Sequence, residues 1–83
     1  MLQKKIDFIK ENYPDALLVD GFDVAIIGVA HRAGQEPVVS YDRKKVIAVL
    51  TQSMTKEEAE EFFEFNIIGS YMGEYTPVFV DRF

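Results

Sequence analysis

The segment from Thr55 to Ile68, TKEEAEEFFEFNII, reads as one helix that loses its solvated face halfway along. Its start is well specified. Thr55, with Glu58 three residues later, forms a capping box, and the early glutamates suit the positive end of a helix dipole. At about 100° per residue, Glu57, Glu58, Glu60, Glu61 and Glu64 share one arc, opposite a core stripe of Ala59, Phe62, Phe63, Asn66 and Ile67. Phe65, Ile68 and, in a longer helix, Met72 fall back on the acidic side. A helix that is apolar all round has to be covered on more than one side. Two readings of its second half stand open. The tail strand or the first helix covers Phe65 and Ile68, or these residues form a partner or dimer surface rimmed by glutamates. Interfaces are built in that second way, with an apolar centre inside a polar rim.

The chain has 83 residues and no cysteine, so disulfides, Cys-based zinc sites and thiol nucleophiles are excluded. Its length fits one domain, residues 1–83, near the lower end of what folds without staples. The core must supply the stability, and 48% hydrophobic residues with seven Phe and four Tyr are adequate material. Homodimerisation is a common way for so small a chain to bury more surface. The apolar runs reach about five residues, against the roughly 20 needed to span a bilayer. No charged-then-apolar leader is visible, which predicts a cytoplasmic protein with no membrane contact. The net charge of −5 argues against direct nucleic-acid binding. The charge is also local: residues 55–65 carry five glutamates against Lys56, while the remainder carries nine acids against eight bases.

Leu2, Ile6, Ile9 and Tyr13 form one helical stripe over residues 2–12, ended by Tyr13-Pro14. Ala16 to Val19 is a short apolar run, fit for a strand or a turn of helix, and Asp20-Gly21 is a turn signal. Val24 to His31 reads as a strand with Gly28 marking a bulge or a close backbone approach. Across a polar turn at Ala33-Gly34-Gln35-Glu36, Pro37 opens a second strand, Val38 to Tyr41, giving a hairpin. Asp42 is the expected N-cap of a helix over Arg43 to Gln52, with Val46, Ile47, Val49 and Leu50 on its apolar face. The short joint at Ser53-Met54 makes the next helix its antiparallel neighbour. Pro77 to Val80 reads as an antiparallel edge strand. The expected fold is therefore α+β, in the order α-β-β-β-α-α-β, with a three- or four-stranded, mainly antiparallel sheet packed by helices on one face.

No motif carries catalytic or metal chemistry. His31 is the only histidine. A general base needs a positioned substrate and usually an orienting carboxylate, and nothing places Asp23, Glu36 or Asp42 beside it. No calcium-loop pattern, phosphate loop or dinucleotide fingerprint occurs, so no cofactor or metal site is expected. Arg43-Lys44-Lys45, in the first turn of a helix, is suited to a phosphate or an acidic patch, though such clusters are more often plainly solvated. Tyr71, Tyr75 and Phe79 are available as an aromatic surface or as core.

Three stretches carry a resemblance. They are Asp20-Gly21-Phe22-Asp23-Val24-Ala25-Ile26-Ile27-Gly28, Val39-Ser40-Tyr41-Asp42 leading into a helix, and Glu57 to Asn66 continuing into Gly69-Ser70-Tyr71-Met72-Gly73-Glu74-Tyr75-Thr76-Pro77-Val78-Phe79. Across about residues 20–80 the chain resembles a family of short, uncharacterised proteins encoded by tailed phages and prophages, by its EFN...G.Y.GE.TP pattern. The joint at Gln52-Ser53-Met54 is shorter than that family's acidic-glycine turn. The resemblance implies a phage context and a binding protein, not an enzyme, and brings no catalytic residues with it.

The expectation is a small accessory protein that binds a host or phage protein, as an inhibitor of a defence system or host enzyme, through Phe65, Ile68, Tyr71 and Met72 with Glu61 and Glu64 at the rim. One alternative is an acidic DNA mimic using Glu57, Glu58, Glu60, Glu61 and Glu64, although five glutamates on two turns span only about 10 Å. Another is a small hydrolase or nucleotide-binding protein centred on His31.

Overall fold

The computed structural model describes residues 2–83. The first helix, α1, spans Leu2–Asn12 and buries Ile6 and Ile9. It stops where Pro14 forces the chain out of the α region. The strand expected at Ala16–Val19 does not form, and the order is α-β-β-α-α-β. The reason lies in the backbone hydrogen bonds. The Val19 N–H is donated to the buried Tyr41 hydroxyl at 2.7 Å, so a side chain takes the place of a ladder partner. Ala16, Leu18 and Val19 still pack on the core, as a loop. A 3₁₀ turn over Asp23–Ala25 also takes the first residues of the next expected strand.

Strand β1 (Ile26–Ala30) and strand β2 (Val38–Asp42) pair antiparallel, and the register shifts between Ile26 and Gly28. Gly28 thus marks the bulge that an isolated strand glycine signals. Its missing side chain leaves the Ser40 hydroxyl 4.0 Å from where a Cβ would stand. Strand β2 is central and buried along its whole length. Its last residue, Asp42, caps helix α2 (Arg43–Leu50) by accepting from the backbone N–H groups of Lys44 at 3.0 Å and Lys45 at 3.4 Å. The helix ends two residues earlier than the sequence suggests.

Strand β3 (Val78–Val80) lies beside β2 and runs parallel to it, not antiparallel as its edge position suggested. Parallel neighbours need a long crossover, usually helical. The two helices between β2 and β3 are that crossover. The sheet is three-stranded and mixed, in the order β1-β2-β3, within an α+β fold. The helices cover the face carrying Ile26, Val39, Tyr41 and Phe79, where they contribute Ile6, Ile9, Val46, Ile47, Ala59 and Phe63 to the core. Two ion pairs, Arg43–Asp81 and Arg82–Asp42, each 3.6 Å long, tie the start of α2 to the residues after β3.

The last helix extends over the expected residues but changes winding. It is α-helical over Lys56–Phe62 (α3) and continues as a π-helix over Phe63–Ile68. Its inward row is Ala59, Phe63 and the half-buried Ile67, every fourth residue. At 3.6 residues per turn such a row drifts about 40° per step around the helix. The wider winding after Phe63 turns the row back the other way, so that Ile67 still packs on the core. Phe62 and Asn66, expected in the core stripe, are turned out. At the end of the segment the Gly69 N–H is donated to the Glu64 carbonyl at 3.1 Å. A Cβ on Gly69 would meet the Phe65 carbonyl oxygen at 2.8 Å, so this close turn admits only glycine without a shift of the backbone.

Candidate interaction surface

The helix start is held by a reciprocal cap. The Thr55 hydroxyl accepts from the Glu58 N–H at 3.2 Å, and the Glu58 carboxylate accepts from the Thr55 N–H at 2.9 Å. The Thr55 backbone N–H above all, with a smaller contribution from the Thr55 side chain, holds the Glu58 carboxyl below its ordinary value of 4.5. Among the described residues, none of Glu57, Glu58, Glu60, Glu61 and Glu64 forms an ion pair. Their charge faces solvent without a partner.

Phe63 is anchored inside, edge-on to Phe79 with ring centroids 5.1 Å apart, and Phe79 in turn stacks on Tyr41 at 5.5 Å. With Phe63 pointing in, Phe65 must point out. Phe65 is 79% exposed and Tyr71 78%, with Ile68 and Met72 each at least half exposed. Phe62 joins them, so that Phe62, Phe65, Ile68 and Tyr71 follow one another at intervals of three, flanked by Glu58, Glu61 and Glu64. The segment after Gly69 is fastened by its own hydrogen bonds. The Ser70 hydroxyl donates to the Asn66 carbonyl at 2.8 Å. The Thr76 hydroxyl donates to the Gly73 carbonyl at 2.6 Å and accepts from the Met72 N–H at 2.8 Å. Tyr71 and Met72 thus sit in a turned loop beyond the helix, where Tyr71 lines a cavity of about 440 Å³ with Ala30, His31, Glu36 and Val38.

All six residues expected to contact a partner, Phe65, Ile68, Tyr71, Met72, Glu61 and Glu64, are exposed. Neither the tail strand nor α1 covers Phe65 or Ile68. Phe62 was missed because an ideal α-helical wheel puts it in the core stripe. The spacing of three from Phe62 to Phe65 to Ile68 is the signal that could have found it. Tyr75 is half-buried, and Phe79 belongs to the core.

The basic cluster is divided. Arg43 pairs with Asp81, and its guanidinium carbon lies 5.3 Å from the Phe63 ring centre, so only Lys44 and Lys45 of the three remain solvated. His31 stands at the end of β1, edge-on to Tyr13 at 5.9 Å, with no carboxylate hydrogen-bonded to its ring among the described residues. No group of three or more His, Asp or Glu among the described residues is placed to hold a metal ion. Among the described residues, no helix is long and apolar enough to cross a membrane.

A second feature was not expected. Between α1 and the outer edge of β1 runs a groove of about 520 Å³, lined by Phe8, Ile9, Tyr13, Ile27 and Val29 with Lys4 and Lys5 alongside and no carboxylate. The Lys5 ammonium lies 3.5 Å from the Ile26 carbonyl, which holds its stem across the groove. Phe8 sits well off the Leu2-Ile6-Ile9-Tyr13 stripe, and that offset was the available signal.

Fold and surface together define a small α+β domain that carries an acid-rimmed aromatic ridge on its last helix. Comparisons with protein-family models, curated proteins and solved structures return no match, so the ridge must be interpreted from its own chemistry.

Proposed function

We propose that this chain is a small accessory protein of phage type, acting in the host cytoplasm by binding a host or phage protein and inhibiting it, with a defence system or host enzyme as the target class. The observation that carries this reading is the exposed helical row of Phe62, Phe65 and Ile68 beside unpaired glutamates. Exposed aromatic side chains are the usual anchors of protein interfaces. Area points the same way. A folded monomer of this mass exposes about 5,050 Å² on average, whereas this one exposes 5812 Å². The excess, roughly 750 Å², is close to one partner's share of a standard-size interface.

The test is capture from the natural host's lysate by the wild-type chain and by Phe65→Asp and Ile68→Asp variants. A specific partner retained by the wild type and lost by folded variants is the expected result. Equal capture by all three removes the ridge from the interaction.

The unpaired glutamates favour a second reading, an acidic mimic that occupies a nucleic-acid-binding protein. Capture would then fall steeply with salt and fail after charge reversal at Glu57, Glu60 and Glu61. Capture that survives both belongs to the aromatic row instead.

A further inference from the structure

The ridge has a counterpart elsewhere on the same chain. The groove between α1 and β1 is apolar at its centre, with Phe8 55% exposed, and its charged lining is Lys4 and Lys5. The ridge is apolar at its centre, and its charged flank is Glu58, Glu61 and Glu64. One is flanked by acids, the other by bases. Charge complementarity of this kind sets the register of an association and suppresses wrong pairings. Two ridges brought face to face would instead oppose glutamate to glutamate.

We propose that the occupant of the α1–β1 groove is the Phe65–Ile68 ridge of a second copy of this chain. The proposal rests on the ridge being a binding surface, as the preceding reading has it, and adds that the chain itself carries the receiving site. Helix α1 lies beside β1, and the last helix reaches β3 through Phe63 and Phe79, so groove and ridge stand at opposite edges of the sheet. A contact between unlike patches so placed is heterologous. It propagates head to tail, into rings or short open chains, and does not close as a two-fold dimer. Each copy has limited surplus area to share between two such contacts, which places each in the weak, transient class of interface. Self-association then competes with a partner for the ridge and shields Phe65 while no partner is present.

The experiment is sedimentation of the purified chain from about 10 µM to about 1 mM, the range in which weak contacts of this size fill. The wild-type mass should rise with concentration and pass beyond the dimer. Phe65→Asp, with its ridge disabled, and Phe8→Asp, with its groove disabled, should each stay monomeric. Their equimolar mixture should form a one-to-one heterodimer that grows no further, because one intact ridge and one intact groove remain. Both side chains are exposed, and circular dichroism checks that each variant folds. If either does not, the surface charge-swap pair Lys4→Glu/Lys5→Glu and Glu61→Lys/Glu64→Lys replaces them: neither should assemble alone, and the mixture should. A wild-type chain that stays monomeric throughout overturns the proposal, as does wild-type assembly with no complementation between variants. A monomeric chain that still captures a host protein through Phe65 overturns this inference and leaves the functional reading standing. A chain that assembles head to tail and captures nothing does the reverse.

Discussion

Phe63 and Phe65 are the same residue type, two positions apart on one helix, and they have opposite fates. Phe63 is 1% exposed, locked between Phe79 and the Arg43 guanidinium. Phe65 is 79% exposed and contributes little to the fold. Hydrophobicity alone does not distinguish them. The helix must send one row inward, and the Ala59-Phe63-Ile67 row fits against Tyr41 and Phe79. The remaining apolar residues are left at the surface, where a side chain that stabilises nothing in the monomer is available for binding.

The sharpest way to break this comparison is to truncate both residues. Phe63→Ala should cost about 3–5 kcal/mol, as for other buried aromatic truncations. Phe65→Ala should stay within about 0.5 kcal/mol of the wild type. Urea midpoints compared at an unchanged m value read both effects. Similar losses at the two positions would mean that Phe65 is covered in solution.

A smaller effect should come from Tyr41→Phe, which keeps the ring that Phe79 stacks on and removes only the hydroxyl. The Val19 N–H is left without its acceptor, at a cost of about 1–3 kcal/mol. The same hydroxyl makes part of the stability depend on alkaline pH. Burial, with a contribution from Asp23, raises its pKa above the ordinary 10.0 against the opposing bond from Val19. The folded chain therefore holds this proton more tightly than the unfolded chain. That part of the stability is whole below the unfolded pKa and is lost as pH rises through the raised folded one. Urea midpoints followed upward from about pH 8 should show this loss in the wild type, and the variant should lack Tyr41's share of it.

The smallest effect belongs to the helix start, which serves Phe63 and Phe65 alike. Thr55→Ala should cost about 1 kcal/mol and leave the contrast between the two phenylalanines intact. The Glu58 carboxyl, held low chiefly by the Thr55 backbone N–H and secondarily by its side chain, contributes stability above its unfolded pKa. That contribution is lost as pH falls through the depressed folded pKa. In Thr55→Ala the depression should shrink without vanishing, since the backbone donor survives. A carboxyl NMR titration of Glu58 measures it.

Local chemistry made much of this molecule readable in advance. The stop at Pro14, the Asp42 cap, the Thr55–Glu58 capping box, the bulge at Gly28 and the closing turn at Gly69 each depend on neighbours a few residues away. The errors came where a distant residue decides. Val19 fails to join a sheet because Tyr41, 22 residues on, takes its N–H. Strand β3 is parallel because both helices are used in the crossover from β2. Phe62 leaves the core because Phe63, packed on Phe79, sets the inward row at Ala59, Phe63 and Ile67. The candidate surface was readable in outline from Phe65 and Ile68 falling on the acidic arc. The lysine-lined groove was not, since it exists only where α1 meets the edge of β1.

The order of residues alone gave the helix starts, the caps, the hairpin and the local concentration of negative charge. All of these follow from hydrogen-bonding and steric preferences within a turn or two of chain. Packing across the fold settles which apolar side chains of the last helix are buried. That choice depends on the shape of the sheet they pack against, which brings together residues from both ends of the chain. Phe63 fills that space, and Phe65, with the same side chain, is left outside.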